Sequence, residues 1–290
     1  MTHQAPRKHR YRTIWISDIH LGTRGAKARF LLDFLRNTES DTLYLVGDVV
    51  DGWRLEQHWY WPTAHDAVIQ RLLRKARTGT EVIFLPGNHD AFARAWPDAP
   101  VGRVRVQDEA CHTLADGRRL LVVHGDAFDG IVTYVRWLAH VNDATHRVMA
   151  GINRAINRVR RRFGRPYWSL SAFVRSKAKT AFKELDAYEA TMVREARARG
   201  FDGVVCGHVH HPACKPMDGV VYANTGDWME HCSALVEDFD GNLALVDWTR
   251  AGAADLTPLL AESPEAEGVA RLRDLVRRAV HAPPGAREEA

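Results

Sequence analysis

The sequence lacks paired cysteines, long apolar runs and an apolar leader. Its four cysteines form no C-x-x-C pair and stand at Cys111, Cys206, Cys214 and Cys232. This spacing argues against a disulfide scaffold or a cysteine-rich metal site, and it predicts buried small side chains in a reducing compartment. No run approaches the roughly 20 apolar residues that a membrane-spanning helix requires. The first eleven residues are polar and basic, so we expect no secretory signal and a cytoplasmic location.

Acidic residues are almost absent from residues 131–183. Twelve lysines and arginines stand there against one acid, Asp143, although the whole chain of 290 residues has a net charge of only +4. Apolar residues recur at helical spacing from Val141 to Phe163, and arginines fall on roughly the opposite side. The pattern predicts a basic amphipathic helical insertion over 131–183. Its arginines either meet phosphate or an anionic inner-membrane surface, or they are solvated while the apolar stripe packs on the core.

Short β-rich runs alternate with helical patterns along the rest of the chain. Strands are predicted at 13–17, 42–46, 81–85 and 119–123, with helices over 27–37 and 65–77. After a further helical stretch over 171–200, strands are predicted at 203–206, 220–223, 234–236 and 243–248, close enough in sequence to be antiparallel neighbours. This order predicts an α/β sandwich with a parallel start, over 12–130 and 184–250. Residues 251–290 are interpreted as a peripheral helix and a flexible tail.

Five short motifs with metal-binding side chains follow five of the predicted strands. Open α/β sheets gather their ligands at the carboxyl ends of strands. Imidazole, carboxylate and amide oxygen together suit Mn²⁺, Fe²⁺ or Zn²⁺ rather than Ca²⁺. A single Asp-x-His is usually accidental, and a closed structural zinc site would favour cysteine, so it is the five together that predict a metal centre. The motifs are Asp18-Ile19-His20, Gly47-Asp48, Gly87-Asn88-His89-Asp90, His124-Gly125-Asp126 and Gly207-His208-Val209-His210.

In this order the motifs resemble those of the calcineurin-like metallophosphoesterases, over about residues 12–129 and 202–248. The resemblance implies a four-layer α/β sandwich of two mixed sheets flanked by helices, and phosphoester hydrolysis with two divalent metal ions, most suitably Mn²⁺. By the same resemblance, His89 protonates the leaving oxygen and Asp90 orients it, while Asp51 and Asp126 are candidate acids behind the ligands. One ion would be held by Asp18, His20, Asp48 and His210, and the other by Asp48, Asn88, His124 and His208.

Within that superfamily, the runs 47–53 and 207–213 and the helical insertion resemble the UDP-2,3-diacylglucosamine hydrolase branch. This resemblance implies cleavage of the pyrophosphate of a nucleotide-linked lipid sugar in lipid A biosynthesis, with release of UMP. The insertion would then form a lid around the acyl chains. The sequence departs from that branch at one position. The branch carries arginine directly after the metal-binding asparagine, whereas this chain has His89, and histidine is the ordinary residue in the wider superfamily.

Some residues are candidate substrate contacts, each with a structural alternative. Arg24 would meet a phosphate or lie on the surface, and Trp53 would stack on a base, line an acyl groove or pack in the core. Asn224 would help to close the pocket or form a tight turn packed by Trp228. The candidates are Arg24, Trp53, Arg154, Arg158, Arg161 and Asn224.

Two other functions compete with this interpretation. In a cyclic-nucleotide or nucleic-acid phosphodiesterase of the same superfamily, the arginine face would follow a phosphate backbone, but the interleaved aromatics of a single-strand binding surface are missing. A non-catalytic scaffold would use the metal pocket for binding and the basic helix to dock on a membrane or partner. The intact ligand set and His89 argue against the scaffold.

Overall fold

The computed structural model describes residues 9–95, 104–128, 170–249, 274, 276–278 and 280, with side chains omitted over 170–182. The chain forms two compact units, one of Met1–Ala127 with Met192–Ala290 and the other of Phe128–Thr191. Most of the predicted insertion, including Arg154, Arg158 and Arg161, lies outside the described residues, and the predicted domain boundaries stay predictions. No helix in the described ranges combines the length and the apolar character that crossing a membrane requires.

The predicted α/β order is confirmed. The helices are α1 (Ala28–Asn37), α2 (Gly52–Gln57), α3 (Thr63–Arg77) and α4 (Leu170–Ala198). The strands are β1 (His9–Ile16), β2 (Thr38–Val46), β3 (Glu81–Leu85), β4 (Val104–Val106), β5 (Glu109–Thr113), β6 (Arg119–Val123), β7 (Gly203–Cys206), β8 (Ala213–Met217), β9 (Val220–Asn224), β10 (Ser233–Glu237) and β11 (Leu243–Asp247).

Helix α3 shows the spacing of apolar residues from which a helix was predicted. Its buried residues Val68, Leu72 and Ala76 recur every four positions on one face. Asp66 lies in the first turn and Arg74 in the last turn, each sign matching the partial charge of its helix end. Helix α2 was not predicted, because six residues are too few to show a period.

Two mixed sheets form the centre of the first unit. The six-stranded sheet has the order β11-β10-β1-β2-β3-β4, with β1 to β4 parallel, as predicted for the start of the chain. The five-stranded sheet has the order β5-β6-β7-β9-β8. The expectation of antiparallel neighbours holds for β10 and β11 but is wrong for β7 and β9, which pair in parallel. The reason is β8, which was not predicted and which forms the antiparallel partner of β9.

Alternation along the strands divides the core in two. On β1, Ile14 and Ile16 join the cluster that contains residues of α1 and α3, whereas Trp15 joins the cluster that contains residues of both sheets. Successive side chains of a strand point to opposite faces, so one sheet packs on helices and on the other sheet at once. In the C-terminal segment, Val276 and Val280 are buried in the helix-side cluster, so this part of the predicted peripheral helix packs on the core.

The cysteine expectation is half right. The four cysteines, all of them in the described ranges, form no disulfide; Cys206 and Cys232 are buried, and Cys111 and Cys214 are exposed.

Candidate metal centre

The five predicted motifs lie directly after five strands, which run parallel to one another within each sheet. Asp18 and His20 follow β1, Asp48 follows β2, and Asn88 follows β3. His124 follows β6, and His208 with His210 follows β7. In parallel strands the carboxyl ends meet at one edge of the sheet. Contacts of His124 with Asp48 and of His210 with Asp18 join the motifs of the two sheets.

Unusual backbone conformations bend the ligand-bearing loops. Of the seven described non-glycine residues with positive φ, five lie in the ligand-bearing loops, with values of 52–68° in the left-handed region that residues with a Cβ seldom enter. Such residues cluster at functional sites because the surrounding structure must hold them there at a cost of about 1–3 kcal/mol each. All five are predicted metal ligands, namely Asp18, His20, Asp48, His208 and His210.

One group of donors surrounds Asp18. Its Oδ1 lies 3.0 Å from Nε2 of His210 and 3.9 Å from Nε2 of His20. The two histidine Nε2 atoms are 3.4 Å apart, and Nε2 of His20 lies 3.6 Å from Oδ2 of Asp48. Ligand atoms of Asp18, His20 and His210 all lie within 4.8 Å of one another, a spread that a single ion can span.

A second group surrounds His124. Its Nε2 lies 3.5 Å from Oδ1 of Asp48, and ligand atoms of Asp18, Asp48 and His124 also lie within 4.8 Å of one another. The ring of His208 meets the ring of His124 edge to face, with centroids 5.2 Å apart. Asp48 therefore has one carboxylate oxygen toward each group.

The donor set fits divalent cations. Oδ1 of Asn88 is buried and has no hydrogen-bond partner among the described residues. A buried polar atom without a partner costs about 1–3 kcal/mol, and this one belongs to the predicted ligand set. An amide oxygen, imidazole nitrogens and carboxylates together suit borderline divalent ions.

Glycine allows the loops to approach one another. A Cβ on Gly87 would stand 2.6 Å from Nε2 of His124 and would also collide with Oδ1 of Asp48. The loop that carries Asn88 can reach the centre only because residue 87 has no side chain.

The charges of the centre are strongly interdependent. Burial raises the pKa of Asp48, but the neighbouring His124 and His20 outweigh it and hold this pKa well below its usual range. Burial lowers the pKa of His124, but Asp48 outweighs it and raises the value to about 10. The centre thus places opposite charges side by side away from solvent.

His89 lies beside both groups and is oriented by Asp51. Nδ1 of His89 lies 3.0 Å from Oδ1 of Asp51, whose Oδ2 lies 3.1 Å from Nδ1 of His20. The backbone N–H of His89 donates to Oδ1 of Asp48 at 3.0 Å. Trp53, which is 51% exposed, lies over His89 with ring centroids 4.1 Å apart.

Asp90 has a different place from the one expected. Its carboxylate is fully buried and accepts four backbone N–H groups, from Gly87 at 2.7 Å, Val49 at 2.7 Å, and Asp48 and Val50 at 3.2 Å. Asp90 therefore ties the loops after β2 and β3 together, and the prediction that it orients His89 is corrected in favour of Asp51. Asp126, which was predicted to lie behind the ligands, instead contacts Arg94 at 3.4 Å. Nδ1 of His124 lies 2.8 Å from the carbonyl oxygen of Val46, so a backbone carbonyl lies behind that histidine.

The predicted substrate contacts separate into three cases. Trp53 lies at the site. Arg24 is exposed, with its guanidinium 5.5 Å from the ring centre of Tyr60. Asn224 is fully buried, donates to the carbonyl of Gly207 at 2.6 Å and accepts from the N–H of Gly226 at 2.9 Å. Of the two predicted alternatives, these bonds agree with the turn, and they tie Asn224 to the loop of His208.

The structure adds an acid that the sequence analysis did not single out. Asp227 is buried, and its Oδ2 lies 2.7 Å from Nδ1 of His231 and 3.6 Å from Nδ1 of His210. Its position in the Asn224–Trp228 run directly after β9 was the available signal.

Comparison with known proteins agrees with this geometry. The model of the calcineurin-like phosphoesterase family matches residues 11–212. The chain belongs to the calcineurin-like phosphoesterase family. It is therefore a metal-dependent phosphoester hydrolase, and the predicted family and fold are confirmed.

Three similar proteins are named UDP-2,3-diacylglucosamine hydrolase. The chain is 31% identical to the UDP-2,3-diacylglucosamine hydrolase of Xanthomonas campestris pv. campestris, over 79% of this chain and 96% of that protein. It is 30% identical to the protein of that name from Xanthomonas axonopodis pv. citri, over the same shares. The Chromohalobacter salexigens protein of that name is 28% identical, over 74% of this chain and 88% of that protein.

Proposed function

We propose that this phosphoesterase binds two divalent ions and that Asp48 contributes to both. The observation that carries the proposal is the convergence of side chains from five loops, together with the buried amide oxygen of Asn88, which has no hydrogen-bond partner among the described residues. The proposed ligands are Asp18, His20, Asp48 and His210 for one ion, and Asp48, Asn88, His124 and His208 for the other. Mn²⁺ is the metal that we propose, since the donors are oxygen and imidazole nitrogen.

The chemistry follows from that donor set. When bound, two such ions lower the pKa of water and neutralise the non-bridging oxygens of a phosphoester. Because Nδ1 of His89 is hydrogen-bonded to Asp51, Nε2 of His89 is the nitrogen that remains to donate a proton to the leaving oxygen. The 14% side-chain exposure of His89 leaves it accessible from the site.

We further propose that the substrate is UDP-2,3-diacylglucosamine or a similar nucleotide-linked lipid sugar, cleaved at its pyrophosphate with release of UMP. The support is the shared name of the relatives, which this chain matches over 88–96% of their length. Trp53 supplies an exposed aromatic face beside His89 for an apolar or stacking contact. His89, in place of the arginine of that branch, is a reason to test other nucleotide-linked substrates.

The experiment is turnover by the Mn²⁺-loaded protein of bis(p-nitrophenyl) phosphate, UDP-sugars and UDP-2,3-diacylglucosamine, with phosphorus NMR of the products. We expect the lipid-linked substrate to have the highest kcat/KM and to release UMP. Preference for a cyclic nucleotide or a nucleic acid would contradict the substrate and leave the two-metal site intact. Absence of turnover with every phosphoester would contradict the catalytic assignment.

The basic insertion is proposed to meet an anionic membrane surface. Its support is the twelve lysines and arginines over residues 131–183. Sedimentation with vesicles of phosphatidylglycerol should decline steeply as salt is raised. Equal sedimentation with neutral vesicles would contradict an electrostatic contact.

A further inference from the structure

The candidate ligand histidines differ in what lies behind them. A histidine that binds metal through one nitrogen usually gives the N–H of its other nitrogen to a carboxylate or carbonyl. Nδ1 of His20 has Oδ2 of Asp51 at 3.1 Å, and Nδ1 of His124 has the carbonyl of Val46 at 2.8 Å. For His210, the carboxylate oxygen at this position is Oδ2 of Asp227, at 3.6 Å.

Asp227 is fixed independently of His210. Its Oδ1 accepts backbone N–H groups of the following turn, from Met229 at 2.7 Å, from His231 at 3.2 Å and from Glu230. Its Oδ2 also lies 2.7 Å from Nδ1 of His231, and the residue is 1% exposed. One oxygen of Asp227 therefore maintains the turn, while the other is shared between two imidazole rings.

The ring of His210 is oriented with one nitrogen toward the centre and the other toward Oδ2 of Asp227. Nε2 of His210 faces the centre, because it lies 3.0 Å from Oδ1 of Asp18 and 3.4 Å from Nε2 of His20. Nδ1, on the other side of the ring, faces Asp227. We propose that Asp227 is a positioning residue that accepts the Nδ1–H of His210 and so strengthens metal binding through Nε2, and that His231 competes for the same oxygen. This inference rests on the proposed two-metal function.

Asp227→Asn tests the inference with little change of shape. The amide oxygen can still accept the backbone N–H groups of the turn, but the NH₂ group in place of Oδ2 cannot accept from His210. We expect one of the two Mn²⁺ ions to bind about 10–100-fold more weakly, while the other binds as in the wild type. Equilibrium dialysis with Mn²⁺ EPR gives both affinities without depending on turnover.

Asp238→Asn is the matched control. Asp238 also accepts backbone N–H groups in a turn, from Asp240 and Asn242 at 2.9 Å each, but that turn joins β10 to β11. We expect both Mn²⁺ affinities of this variant to equal those of the wild type. If Asp227→Asn also binds both ions as tightly as the wild type, Asp227 does not position His210.

His231→Ala separates positioning from maintenance of the turn. The change removes the competing donor at Oδ2 and retains the backbone N–H of residue 231, so both Mn²⁺ ions should bind at least as tightly as in the wild type. A loss as large as in Asp227→Asn would show that metal binding depends on the turn, and the inference would be wrong. Failure of the wild type to bind two Mn²⁺ ions would instead contradict the proposed function on which the inference rests.

Discussion

Several residues at the centre combine a strained backbone or a buried, unpartnered polar atom with a predicted role as metal ligand. Asp18, Asp48 and His210 adopt left-handed backbone conformations, while Asn88 buries an amide oxygen that has no hydrogen-bond partner among the described residues. Each feature costs on the order of 1–3 kcal/mol. Their coincidence in one predicted ligand set indicates that the fold is adapted to hold cations there.

A substitution at His89 should lower turnover without removing metal, unlike a substitution of a metal ligand. His89→Ala should lower kcat about 10²–10⁴-fold, because a positioned proton donor contributes about that much. It should leave bound Mn²⁺ nearly unchanged, because the proposed ligand atoms belong to other residues. Turnover and metal content, measured on the same preparation, check both expectations.

The control for His89 lies at the other end of a strand. His9 is exposed at the amino end of β1, whereas the centre is at the carboxyl end. His9→Ala should retain wild-type turnover and metal content. An equal loss of metal and turnover in His89→Ala would contradict its role as a proton donor.

Contacts between loops hold the residues of the centre in position. The loop after β3 passes so close to the loops after β2 and β6 that a Cβ on Gly87 would stand 2.6 Å from Nε2 of His124. Asp90 fixes the same loop by accepting N–H groups from the β2 loop. The geometry of the centre is thus a property of contacts between elements.

Gly87→Ala should therefore disrupt the centre. We expect loss of at least one Mn²⁺ ion and a decrease in catalytic efficiency by about 100-fold or more, since a displacement of about 1 Å can cost that factor. Gly79→Ala is the control, because Gly79 has φ +113° but a Cβ added there would meet no atoms within 4 Å, so the change costs only backbone strain. Normal metal content in Gly87→Ala would contradict the close approach of the loops.

A buried acid links the two sheets. Glu237 of β10 is fully buried and lies within hydrogen-bond distance of Oγ1 of Thr13 at 2.7 Å, Nε2 of His112 at 2.9 Å and the N–H of Ala115 at 2.8 Å. Burial raises the pKa of Glu237, but these hydrogen bonds lower it overall, from 4.5 to about 2. A carboxyl whose pKa is lower in the folded state adds stability above its unfolded pKa, and this stability is lost as pH falls from about 4.5 to about 2.

Glu237→Gln should reduce this pH dependence. We expect the variant to be about 3 kcal/mol less stable at pH 7, with the difference shrinking as pH falls below 4.5, measured by urea unfolding. Glu109→Gln, which breaks an exposed pair with Arg199, should cost less than about 1 kcal/mol at pH 7. A difference for Glu237→Gln that stays constant with pH would contradict the lowered pKa.

The sequence predicted secondary-structure elements better than it predicted contacts. Strands β3 and β6 were predicted at their observed bounds, because buried strands form apolar runs with clear ends. Helix α2 and strand β8 were missed, since short or exposed elements have no readable period. Asp90 was misplaced because a motif gives the order of residues along the chain, whereas its partners Val49 and Val50 come from another loop.

The whole molecule combines a metal centre with a strongly basic segment. The centre belongs to the first compact unit, while most of the predicted insertion lies outside the described residues. If the insertion binds the acyl chains and phosphate of a lipid-linked substrate, its arginines should matter for that substrate and little for a small one.

Replacing Arg154, Arg158 and Arg161 with Gln tests this at the scale of the whole enzyme. We expect kcat/KM for UDP-2,3-diacylglucosamine to fall at least tenfold, or about 1.4 kcal/mol, while that for bis(p-nitrophenyl) phosphate stays nearly constant. Replacing the exposed Arg29, Arg74 and Arg77 of α1 and α3 removes equal charge and should affect neither substrate. Equal losses for both substrates in the first variant would contradict a lid.

The most direct test of the two-metal centre is the anomalous difference map of a crystal grown with Mn²⁺. We predict two peaks about 3.5–4 Å apart, both within coordinating distance of Asp48, one beside His20 and His210 and the other beside Asn88 and His124. A single peak in the centre, or two peaks that do not share Asp48, would contradict the account.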